Sequence, residues 1–216
     1  MEYKPSDVFV GVIDFFAVLL PGAFLALIGI EPARKYLFND GILPGPQTEA
    51  QGWVAFIFAA YLLGHFAFLI GSHLDSIYDK TYRKRKTRQG HKLLDRVQEI
   101  KAGQLGDEHE KITNAFQWTR ANVQLQSPLA AAEINRLEAD SKFFRSMIVA
   151  LFVFCIALAV KGAWFQFAVG LVLMALSFWR YSEQRWKFTT LTYRYFLALE
   201  LVQKPKPETG TKAAGA

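Results

Sequence analysis

The sequence predicts an all-α integral membrane protein, a four-helix bundle whose helices extend into a helical cytoplasmic part. Three observations predict it. Two long apolar runs, Val8 to Ile30 and Trp53 to His73, are joined later by a pair of shorter ones flanking Lys161. A basic run, Lys80 to Lys92 (KTYRKRKTRQGHK), follows the second apolar stretch, with seven Lys or Arg among thirteen residues and no acid. Finally, 52% of the residues are apolar, yet the mean hydropathy is only +0.13, so a sizeable wet portion accompanies the spans.

The first element is Val8 to Ile30, apolar for 23 residues and interrupted only by Asp14 and Pro21-Gly22. At about 1.5 Å per residue it crosses a hydrocarbon core of about 30 Å with some tilt. It does not read as a cleaved signal peptide, because it lacks a basic flank and Asp14 and Pro21 break its apolar core. Pro21 predicts a kink or local unwinding. Glu31 to Gly52, rich in Gly, Pro, Asn and Asp, reads as a loop. Trp53 to His73 is the second span, with Gly64, Ala67 and Gly71 suited to close helix contact.

The basic run then sets the orientation. Lys and Arg stay on the cytoplasmic side because carrying them across a bilayer is costly and the negative-inside potential opposes it. Between Arg145 and Lys161 lie 15 uncharged residues, and 18 more lie between Lys161 and Arg180. These are marginal lengths for spans, and the Lys161-Gly162-Ala163 turn makes the two antiparallel. On this topology 22 of the 25 Lys plus Arg lie inside, with only Arg34, Lys35 and Lys161 outside. Trp53 and Trp164 fall at the outer interface; Tyr78, Tyr82, Trp179 and Tyr181 fall at the inner one. Both termini are therefore expected in the cytoplasm.

The cytoplasmic part reads as helical. Leu93, Leu94, Val97 and Ile100 share one face, and after a break at Gly103 to Gly106, Asp107 can cap a helix carrying Ile112, Phe116, Thr119 and Val123. Ser127-Pro128 starts a helix that meets no breaker before Gly162, about 50 Å over 33 residues. The last span continues past Trp179, where Phe188, Leu191, Tyr195, Leu199 and Val202 form an apolar stripe for Leu129, Ile134 and Leu137 to cover. The expected organisation is residues 1–76, two spans with an outer loop; 77–143, a basic helical cytoplasmic region; 144–181, a transmembrane hairpin; 182–203, a cytoplasmic helix continuing the last span; and 204–216, a disordered tail.

Candidate sites are few. Asp14 is costly inside a span and needs a partner, a proton or a wet cavity. With His65, His73 and Asp75 it forms a candidate intramembrane polar site. A proton or ion relay through Asp14 and His65 is the sharper reading; an interhelical hydrogen bond or a headgroup anchor is preferred. Pro21-Gly22 is read as a helix kink rather than an ion site. Lys80, Arg83, Lys84, Arg85, Lys86 and Arg88 are candidate contacts to anionic headgroups or to a partner, each worth about 1 kcal/mol near a charged surface. Nucleic acid is not expected, since no groove-reading or base-stacking motif accompanies the charge. No phosphate-binding glycine loop, HExxH, nucleophile elbow or paired-carboxylate motif is present, so no enzyme, metal or cofactor is expected. Cys155, the only cysteine, excludes an intrachain disulfide.

Four stretches taken together carry a resemblance: VIDFFAVLLPGA, YLLGHFAFLIGSHLDSIYD, LEADSKFFRS and RYFLAL. They resemble small bacterial four-span inner-membrane proteins of uncharacterised function, some associated with anti-phage defence loci. No catalytic residues come with it. The functional expectation is a non-enzymatic membrane protein that forms homo-oligomers and binds a cytoplasmic partner or signal, in the manner of a membrane-perturbing defence effector. The alternative is a small ion or proton channel or transporter subunit using Asp14 and His65.

Overall fold

A computed structural model describes residues 5–39, 45–46, 48–106 and 113–203, and of residues 5–14, 37–39, 85–90 and 203 the backbone alone. Helices make up nearly all of it, and no strand occurs among the described residues. The helices are α1 (Pro5–Ala33), α2 (Glu49–Gly71), α3 (Leu74–Tyr78), α4 (Lys84–Leu105), α5 (Ala115–Gln126), α6 (Pro128–Val160) and α7 (Trp164–Gln203). Wider π-helical turns follow α1 at Arg34–Asn39 and α3 at Asp79–Arg83. Three helical stretches are long and apolar enough to cross a membrane: Phe15–Tyr36, Glu49–Arg83 and Pro128–Val160. The uncharged part of α7 spans only the 16 residues from Trp164 to Trp179 before Arg180, about 24 Å.

The chain forms two compact units, one of residues 1–88 with 132–188 and one of 89–131 with 189–216. In the first, large apolar side chains point outward, among them Trp53 (61% exposed), Val54 (69%) and Leu69 (65%). Its buried residues include small ones, Ala17, Ala60, Ala67 and Ala150, beside the larger Tyr78, Tyr181 and Phe188. A water-soluble domain exposes far less large apolar side chain, so this surface is suited to lipid.

α1 and α2 cross where neither has a side chain in the way. A Cβ on Gly22 would overlap the Ala60 carbonyl oxygen, and one on Gly64 would overlap that of Val18. Ala60, Gly64, Ala67 and Gly71 are all buried and form the contact stripe of α2. Pro21, also fully buried, does not unwind α1, which stays α-helical on both sides of it. The expected local unwinding is therefore absent. Pro21 forfeits one backbone bond and still packs, because the neighbouring helix encloses it.

α6 starts at Pro128, with the Ser127 hydroxyl accepting from the Ala130 N–H at 3.4 Å, and runs unbroken for 33 residues. Gly162 then takes φ +70°, a left-handed conformation that lets the chain reverse into α7. The pair packs closely, since a Cβ on Gly170 would meet the Cys155 sulfur at 2.7 Å. Phe24 of α1 sets its ring edge-on to Phe154 of α6 at 5.4 Å.

In the second unit the buried side of α4 carries Val97, with Leu93, Leu94 and Ile100 half-buried. Gly106, at φ +64°, closes α4. The ammonium of Lys101 donates to the Thr113 carbonyl, and the Asn114 side chain caps α5 by accepting from the Gln117 N–H at 2.8 Å. Trp118 and Phe116 of α5 set their rings edge-on to Phe196 and Tyr193 of α7.

Several expectations need correction. Helix extends through Asn39 and resumes at Glu49, where Thr48 and Gln51 form a reciprocal cap, so the Glu31 to Gly52 loop is far shorter than read. The cap of α5 is Asn114; Asp107 and Ile112 lie outside the described residues, as does the 204–216 tail. Of the stripe expected on α7, Phe188 is buried, but beyond it the buried side is Thr192, Tyr193 and Phe196, while Leu191, Tyr195 and Leu199 are half-buried and Val202 is 84% exposed. Leu129, expected to cover the stripe, is 86% exposed. Tyr78 and Tyr181 are buried within the protein.

Candidate functional site

Among the described residues of the first unit, charge is drawn inside at the end of the apolar stretches. α2 stops at Gly71, the chain turns through Ser72 and His73, and α3 presents Asp75. Arg145 of α6 donates from Nη1 to Asp75 Oδ2 at 3.0 Å, and the Tyr181 hydroxyl of α7 donates to Asp75 Oδ1. One carboxylate therefore joins three elements far apart in sequence.

Arg145 is held from all sides. Its side chain is 10% exposed, against 36% for Asp75. The guanidinium lies over the Phe68 ring, 4.4 Å from its centroid, and Gly71 leaves room for its stem, since a Cβ there would sit 3.0 Å from Arg145 Cγ. Tyr181 is fully buried and meets the edge of Tyr78, and these two with Ile148 form an apolar core that Leu74, Phe144 and Phe178 pack against. The apolar surround strengthens the charged hydrogen bonds and makes losing one partner costly. Polar capacity remains beside the pair: Arg145 Nε and the hydroxyls of Ser146 and Ser182 are buried without a hydrogen-bond partner. Two residues beyond Tyr181, Glu183 is held below the ordinary carboxylate range chiefly by Lys187 at 2.6 Å, and also by Arg180 at 3.1 Å.

Of the residues expected to form one polar site, the described ones, His65, His73 and Asp75, share no hydrogen bond. Asp75 is engaged by Arg145 and Tyr181 instead of a histidine. His65 is exposed on α2, its ring edge-on to Tyr61 at 4.5 Å, and His73 is exposed in the turn before α3. The side chain of Asp14 lies outside the described residues. Pro21 and Gly22 mark the helix crossing. Of the basic run, Lys80, Arg83 and Lys84 are exposed, Arg83 with Asp79 at 3.2 Å, and the side chains of Arg85, Lys86 and Arg88 lie outside the described residues. Among the described residues no cluster of His, Cys, Asp and Glu has the make-up of a metal site.

Sequence reasoning missed Arg145 and Tyr181, which it read as a snorkelling cation and an interfacial aromatic. A signal was available. Asp75 ends one apolar run, Arg145 begins the next and Tyr181 follows the last, so alternating helices place all three at the same end.

These features define a helical protein with three stretches long and apolar enough to cross a membrane and a partly buried ion pair between helices. No protein-family model matches the chain, and neither curated proteins nor solved structures include a significant match to it.

Proposed function

We propose that the protein is a multi-pass component of the bacterial inner membrane, with both termini cytoplasmic, which acts without catalysis by assembling with further copies of itself. On this reading α1, α2, α6 and α7 form a four-helix membrane bundle. Lys80, Arg83 and Lys84 meet anionic headgroups, the second unit receives a cytoplasmic partner or signal, and the assembled spans perturb the membrane in a defence response. The observation that carries the proposal is the length of α6 and α7, 33 and 40 residues, each an unbroken helix. At about 50 and 60 Å they exceed the hydrocarbon thickness, and residues of both units lie on each.

The test is the mass of the full chain in detergent micelles by light scattering, expected at more than one copy per micelle. A monomer at micromolar concentration ends the reading. Phe196→Asp places a charge at a fully buried position and should disperse the assembly or unfold the second unit. Ion or dye leakage from cells expressing the wild type and Asp14→Asn separates the alternative. Leakage that needs Asp14 favours a conducting path, whereas leakage indifferent to it favours assembly.

A further inference from the structure

We infer that a second copy of this chain covers the outward face of α2 around His65, with the two imidazoles hydrogen-bonded to one another across a two-fold axis. The inference rests on the assembly reading and names its interface. His65 sits about 24 Å along α2 from Glu49 and about 9 Å short of Gly71, at a depth where the surroundings are hydrocarbon. A neutral imidazole carries one N–H donor and one acceptor nitrogen. Among the described residues nothing hydrogen-bonds to either, and the ring stands edge-on to Tyr61. Leaving both polar atoms in lipid costs several kcal/mol, so a face that carries them outward calls for protein against it.

The stripe around it fits that role. Phe58, Leu62 and Leu69 are all exposed on the same side of α2, and the helix has no charged residue after Glu49. The opposite side is already occupied by α1 at Ala60 and Gly64. Phe15, Ile57, Phe58 and Tyr61 line an apolar groove of about 380 Å³ next to the stripe, with room for a partner's aliphatic side chain.

The occupant follows from depth and donor balance. Copies inserted with the same orientation are related by an axis along the membrane normal, so each residue of the face meets its own counterpart at its own depth. A lone lysine or carboxylate in this position would repel its counterpart. Histidine pairs with its counterpart, one ring donating and the other accepting, which takes one polar atom of each ring out of the hydrocarbon.

The experiment uses the full chain with Cys155→Ala, after checking that its mass in micelles equals that of the wild type. Single cysteines at Leu62→Cys and Leu69→Cys are oxidised in native membranes, with Val172→Cys on the outward side of α7 as the comparison. Disulfide-linked dimers are expected from the two α2 positions and not from α7. His65→Leu, an apolar change at an exposed site, should weaken association about five- to thirty-fold, and His65→Asn, which keeps a donor and an acceptor, should restore most of it. An assembled chain that gives no α2 crosslink, or whose His65→Leu variant associates as the wild type does, overturns this interface and leaves the assembly reading standing. An adduct of Leu62→Cys with a different protein in place of the dimer overturns the second copy as occupant. A monomeric wild type overturns both.

Discussion

At the scale of single residues, the pairing of Asp75 with Arg145 and Tyr181 sets the largest expectations. Asp75→Ala leaves a guanidinium buried without its counter-charge and should cost about 3 kcal/mol, the lower part of the range for breaking a buried pair, because Asp75 is about one-third exposed. The drop in melting temperature in detergent measures it. Replacing both partners, Asp75→Leu with Arg145→Met, should be milder than Asp75→Ala alone. A double variant worse than the single would mean that the pair stabilises beyond mutual neutralisation. Ser182→Ala removes a buried hydroxyl that has no partner and should leave the melting temperature unchanged or raise it, by up to about 1 kcal/mol of stability. The candidate site was half legible in the sequence. Asp75 stood out as a carboxylate at the end of an apolar run, but nothing local distinguishes Arg145 buried under Phe68 from Arg145 reaching for headgroups. That difference depends on which helices are neighbours.

Between elements, the crossing of α1 and α2 is governed by backbone approach. Gly22→Ala must push the helices apart, since its Cβ would overlap the Ala60 carbonyl. A loss of about 1–3 kcal/mol or more is expected. Gly29→Ala, on the same helix with nothing within 4 Å of the new methyl, should instead stabilise by about 0.5–1 kcal/mol. Thermal unfolding of the two variants side by side checks the contrast, and equal effects would contradict the packing. The small residues Gly64, Ala67 and Gly71 announced a helix contact in the sequence, and Ser127-Pro128 announced the start of α6. The side of α7 that is buried was misjudged by about a quarter-turn. Its apolar residues lie almost all around the helix, and the Tyr193 and Phe196 side is selected by Phe116 and Trp118, 77 to 78 residues away.

For the molecule as a whole, topology is the property most directly open to test. A reporter that fluoresces only in the cytoplasm should be bright when fused after Gln203 and dark when inserted at Lys161. Bright signal at both would mean that α6 and α7 dip into the membrane without crossing it. The short uncharged part of α7 makes this a real alternative outcome. It is bounded by Lys161 and Arg180, and a span of that length relies on those two cations reaching the headgroups.

The close fit of Cys155 against Gly170 has a practical consequence. The thiol is 3% exposed, and it is the only one the chain possesses. A maleimide can reach it only when the hairpin of α6 and α7 opens, so the labelling rate of the unaltered protein is a clock for that opening. A partner, lipid or voltage that parts the two helices will quicken the clock, and one that clamps them will slow it, with no engineered probe in the molecule.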